Sequence, residues 1–149
     1  MGKEFLFFMS IALLLIMVTG ATWADTIWEG EITDEMDDVE QQGSSMSTGS
    51  SDLEFIDDGN SEVGVRFLNV TVPKGSVISR AYIEFQVEDV EADLPANLII
   101  YGDLSPDAPA FSPSDNNVSD RPSTAARVAW SPEHWPTVGE KKQSADISA

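Results

Sequence analysis

The sequence predicts an all-β fold, an antiparallel β-sandwich of jelly-roll-like type, on three observations. Alternate residues from Ala81 to Val87 are apolar, short apolar runs recur between turn-forming clusters, and no sustained helical period exists beyond an N-terminal apolar run. Short strands spaced by turn signals bury their apolar faces most simply between two layers of extended chain.

The N-terminal run comes first. Phe5 to Val18, "FLFFMSIALLLIMV", follows a short head containing Lys3 and leads into "TGATWADT", where small residues offer a cleavage position. That layout predicts a secretory signal peptide over residues 1–24. A membrane-spanning helix needs about 20 apolar residues, a length reached only by extending the run to Ala24, so an uncleaved N-terminal anchor is the alternative. No cysteine follows the run, which excludes a lipid-modified N-terminal cysteine.

Residues 25–36 form an acidic lead-in and residues 37–149 the β-module. Removal of residues 1–24 takes away Lys3 and Glu4, one base and one acid, and leaves the net charge at −18. So acidic a chain repels phosphate backbones and anionic membrane surfaces, whose binding depends on Lys and Arg replacing condensed counterions. Nucleic acid is excluded as a partner on that ground, and no membrane association is expected once the leader is removed. The asymmetry is sharper than the total, because Asp25 to Val65 holds thirteen acids and no Lys or Arg. The absence of cysteine excludes disulfides, thiol nucleophiles and thiolate metal sites.

Along the module, "DVEQQ" (Asp38 to Gln42) is a weak strand and "GSSMSTGSS" (Gly43 to Ser51) a small-residue loop. "DLEFI" (Asp52 to Ile56) is a short strand closed by the turn "DDGN", Asp57 to Asn60. In "EVGVRFLNVTV" the apolar parity switches between Phe67 and Leu68, which signals a bulge or a strand buried on both faces. Pro73, Lys74 and Gly75 then turn the chain into "VISRAYIEFQV", so these two strands are expected to pair as a hairpin. In the second strand Ala81, Ile83, Phe85 and Val87 face the core, whereas Arg80, Tyr82, Glu84 and Gln86 face outward. "NLIIYGD" (Asn97 to Asp103) reads as an interior strand, Leu104 to Thr124 as a long loop, and "AARVAW" (Ala125 to Trp130) as a further strand. The closing "QSADISA" starts a helix by pattern, with Ser144 as N-cap and Asp146 in the first turn.

Motifs for catalysis are lacking. His134 is the single histidine, it lies between Pro132 and Pro136 in a loop-like stretch, and no G-x-S-x-G elbow is present. The spacing of Gly43 and Gly49 lacks the lysine of a phosphate-binding loop. The chain is therefore not expected to be an enzyme. Structural calcium is the cofactor to weigh, since hard cations take carboxylate and carbonyl oxygens. Asp37 and Asp38 within "DEMDDVE", and Asp57 and Asp58 within "DDGNSE", are the candidate ligands, against the simpler readings of a solvated face and a turn. For ligand binding, sugar rings stack on exposed aromatics, which singles out Tyr82, Trp130 and Trp135. The alternative for Trp130 is a place in the core, and for Trp135 the packing of a loop. Trp28, in the lead-in, has no assigned role.

Three stretches carry a resemblance: Arg66-Phe67 in a strand, Val72-Pro73-Lys74-Gly75 in the turn, and Ile78 to Ile83 opening the next strand. With the continuation from Leu98 to Glu140, the region of roughly Asp37 to Glu140 resembles secreted bacterial β-sandwich modules of the DNRLRE and carbohydrate-binding type, which are appended to exported enzymes and surface proteins. The resemblance implies a binding rather than a catalytic role. It also implies a short helix and a closing pair of strands after "QSADISA", so with Ala149 as the last residue the sandwich is expected to lack its closing strands. A secreted, periplasmic or cell-surface module is thus expected, binding a polysaccharide or other surface partner. The alternative is a structural or adhesive module that joins another β-module through an open sheet edge.

Overall fold

The computed structural model describes residues 9–19, 26–55, 61–90 and 96–148. The all-β class holds: every regular element there is a strand, all pairings are antiparallel, and the strands fall into three sheets. The first sheet has the order β2-β1-β6-β9, with β1 Met9–Thr19, β2 Thr26–Glu31, β6 Val77–Val87 and β9 Lys141–Gln143. The second has the order β4-β3-β5, from β3 Asp38–Gln42, β4 Ser45–Thr48 and β5 Ser61–Val65. Strands β7 Leu98–Ile100 and β8 Val128–Trp130 form the third.

The eleven-residue β6 organises the interior. Its alternation puts Ile83, Phe85 and Val87 into a buried cluster with Leu53, Trp130 and Trp135, against which Val63 and Val65 of β5 and Leu98 and Ile100 of β7 pack. The core thus draws on all three sheets, and each fully buried aliphatic or aromatic side chain contributes roughly 1.5–3 kcal/mol.

The apolar N-terminal run contains β1, which lies between β2 and β6. Its register sets Leu13 opposite Glu84, Leu15 opposite Tyr82 and Met17 opposite Arg80 on one side, and Leu13 opposite Glu31 and Leu15 opposite Glu29 on the other. Leu14 and Ile16 fall on the parity that faces the core, where Ile16 packs with Ala81. The lead-in contains β2, whose Trp28 folds over Gly30 two residues on, a position where a Cβ would collide with the ring. The Trp28 indole N–H donates to the Asn69 carbonyl at 3.2 Å.

Four sequence expectations are corrected. The stretch 43–51 is not all loop, because β4 pairs there with β3. Residues 52–55 are not a strand; Leu53 is anchored through its side chain instead. The hairpin between the stretches flanking Pro73 to Gly75 does not form. The turn is present, with the Ser76 N–H on the Pro73 carbonyl at 3.1 Å and Gly75 at φ 89°, but β5 pairs with β3 and β6 with β1. The reason is Asn69, at φ 56° in the middle of the intended strand. Asn tolerates this left-handed conformation, which breaks an extended run at the parity switch. The C-terminal segment, finally, is not a helix. It runs along β6, where the Ser144 and Ile147 N–H groups donate to the Ile83 and Ala81 carbonyls at 2.8 and 2.7 Å. Ser144 Oγ and Asp146 Oδ1 accept from the Ile83 and Ala81 N–H groups at 3.0 and 3.1 Å, so side chains replace a strand partner.

Candidate functional site

Two features remain for function: an aromatic cleft, and the edge of β6 that β1 covers. In the first, Trp130 stacks on Phe85 with centroids 5.6 Å apart and planes 11° from parallel. Trp135 lies 6.0 Å from Trp130 and 6.3 Å from Phe85, and Phe55 meets all three rings edge-on. The ring quadrupoles favour such stacked and edge-to-face contacts. Trp130 is 8% exposed and Trp135 2%, so both stand in the core. Above them opens a cavity of about 560 Å³ with a polar rim of Ser131, Glu133, Lys141, Lys142 and Gln143. Each rim lysine is held in an ion pair. Lys142 pairs with Glu140 at 2.9 Å and Glu133 at 3.6 Å, and Lys141 pairs with Glu84 at 3.0 Å. The hydrogen bond that Lys142 donates to Glu140 raises the Lys142 pKa and holds that ammonium charged.

Tyr82, expected on the open face, is 8% exposed. Arg80 lies over its ring at 4.9 Å, and β1 runs alongside. Trp130 and Trp135 are therefore brought together, whereas Tyr82 stands on the opposite parity of β6. His134 is exposed in the segment between β8 and β9.

Of the candidate calcium ligands, Asp57 and Asp58 lie outside the described residues. The Asp37 carboxylate is engaged by Arg66, whose Nη1 lies 2.5 Å from Oδ1 and whose Nε donates to the Ala108 carbonyl at 2.7 Å. Burial raises the Asp38 pKa above its ordinary value against the lowering effect of its own backbone N–H, and Asp37 and Asp34 add to the rise. Among the described residues no three His or acidic side chains converge on a common point.

Polar anchors that the sequence pattern did not disclose hold the long loop before β8. Gln41, 3% exposed, donates through Nε2 to the Gly43 carbonyl and to Ser119 Oγ, both at 2.8 Å. Its Oε1 accepts from the Val118 and Ser119 N–H groups at 3.0 Å. Arg121 donates to the carbonyls of Pro109, Ala110 and Asn117 and covers the Phe111 ring at 4.1 Å. A loop so fully bonded is scaffold. Only the isolated strand-like period of "DVEQQ", with Gln41 on the same parity as Val39, hints at a buried amide.

At the β6 edge, geometry assigns each backbone group a side. Ala81, Ile83 and Val87 direct their N–H and C=O groups to the segment 139–147. Alternation then turns those of Arg80, Tyr82 and Glu84 toward β1.

Compared with protein-family models, curated proteins and solved structures, the chain matches none. No helix among the described residues is long and apolar enough to cross a membrane.

Proposed function

We propose that the chain is an exported, non-catalytic β-module whose working surface is the edge of β6. The N-terminal run first directs export and, until it is removed, covers that edge as β1. The observation that carries this reading is the coincidence of the leader-like run with an interior strand, hydrogen-bonded on both sides. Cleavage before Asp25 takes the strand away, frees the backbone groups of Arg80, Tyr82 and Glu84 that face β1, and leaves β2 without its partner. An edge of this kind recruits another extended chain. The likeness of the strand-and-turn motif to secreted β-sandwich modules agrees with a binding role at or beyond the cell surface. The test is a melting curve of the exported, processed chain with a synthetic peptide of the sequence Met9 to Thr19. A ligand bound only by the folded state raises the midpoint. The expected result is a rise for the processed chain and none for the unprocessed one; an unresponsive processed chain contradicts the reading.

The cleft favours a second reading, a neutral polysaccharide held on the rim of Ser131, Glu133 and Gln143. The tryptophans are too deeply packed to stack on a sugar face, so contact would come from the rim. Retention on a polysaccharide resin that is lost in Glu133→Ala, with the melting midpoint unchanged, would support it over edge binding.

A further inference from the structure

We propose that the occupant of the vacated β6 edge is β6 of a second copy, the two strands running antiparallel about a two-fold axis at Tyr82. The inference rests on the reading that β1 leaves with the leader.

Three observations select this partner. The first is backbone parity: Arg80, Tyr82 and Glu84 direct their N–H and C=O groups to the β1 side, so only registers that pair even-numbered residues with even-numbered ones satisfy both strands.

The second is charge. With Tyr82 opposite Tyr82, Arg80 of each copy faces Glu84 of the other, giving two symmetric opposite-charge pairs. Centring the axis on Arg80 or on Glu84 sets like charges against each other. Centring it on Ala81 sets Arg80 opposite Tyr82 and Glu84 opposite Ile78, and leaves both charges unmatched. Both side chains would exchange their present partners on the outer face for these pairs. Arg80 has Gln143 Oε1 at 3.2 Å and the Tyr82 ring, and Glu84 is held by Lys141, itself 60% exposed, and by Gln143 at 3.4 Å.

The third is the core face. β1 sets Ile16 against Ala81 and Leu14 against Ile83; the second copy sets Ile83 against Ala81 and Ala81 against Ile83, keeping an apolar pair at each level. Within the chain, β2 lies beyond β1 and runs parallel to β6, so it cannot take over the antiparallel register of β1 without reversing, and the stretch around Leu68 to Val72 is bent out of strand geometry at Asn69.

Sedimentation equilibrium at physiological salt tests the proposal on the full chain exported from a bacterial host, with processing read by mass. The processed chain is expected to be a dimer and the unprocessed chain a monomer. Arg80→Glu and Glu84→Arg should each weaken the dimer by about tenfold or more, and the double exchange should restore it, which separates a lost pair from a damaged fold. A processed chain that stays monomeric but still responds to the Met9 to Thr19 peptide overturns the second copy and leaves the open edge standing. A processed chain that does neither overturns both, as does a chain that is exported without losing the run. A dimer indifferent to both single exchanges overturns the register.

Discussion

The indole of Trp130 lies parallel to the ring of Phe85, 5.6 Å away, and Trp135 leans on both. This places the two C-terminal tryptophans of the chain in its core. Trp135→Ala should therefore cost about 3–5 kcal/mol by the usual cost of emptying a large core site, measured by chemical denaturation. A change below about 1 kcal/mol would mean that the ring is exposed and free to meet a ligand.

Gly64 of β5 sits under Phe111, and a Cβ there would fall 2.6 Å from the ring's Cζ. Gly64→Ala should destabilise by about 1–3 kcal/mol through overpacking. Combined with Phe111→Leu the cost of the alanine should shrink, since the clash is with that ring. Additive costs in the double-mutant cycle would refute the contact.

Arg66, directly after β5, ties Asp37 just before β3 to the long loop through the Ala108 carbonyl. Removing one partner of a buried ion pair strands the other, so Arg66→Ala should cost about 3 kcal/mol. Protease cutting around Ala108 should quicken at the same time. Unchanged cutting would show that the guanidinium does not hold the loop.

Two aspartates should respond to pH with opposite sign. The Ala81 N–H and then the Ser148 N–H hold the Asp146 carboxyl below its ordinary value. Its stabilisation is complete above the unfolded-state pKa, near 3.8, and is lost as pH falls through the lower folded value. For Asp38 burial raises the folded pKa, so a penalty is absent below about pH 3.8 and grows as pH rises through the folded value. Asp146→Asn should thus lower the melting midpoint at neutral pH, Asp38→Asn should raise it, and both differences should vanish in strong acid. Shifts of equal sign at pH 7 would contradict the assignment.

The sequence disclosed the strands in which alternate positions face the core. Ala81, Ile83, Phe85 and Val87 are buried as their parity predicts, although Tyr82 between them is buried too, and "DVEQQ" matches β3 residue for residue. Pairing was harder to read, because partners depend on single residues far from any periodic run. Asn69 undoes a hairpin that its neighbours favour, and Ser144 with Asp146 lay their chain along β6 using the same side-chain acceptors that would cap a helix. The N-terminal run illustrates the same limit. Its composition suits export, and its alternate residues Leu14 and Ile16 suit a strand face equally well. Among the candidate binding residues, Trp130 and Trp135 were found together but inside, as aromatic rings satisfy a core and a platform with the same chemistry.

Amide hydrogen exchange along β6 addresses the edge most directly. In the unprocessed chain, the N–H groups of Arg80, Tyr82 and Glu84 should be as slow as those of Ala81 and Ile83. In the processed chain, diluted until monomeric, the first three should exchange at least about a hundredfold faster while Ala81 and Ile83 stay protected by the C-terminal segment. Protection retained at all five positions once residues 1–24 are removed would show that the edge never opens.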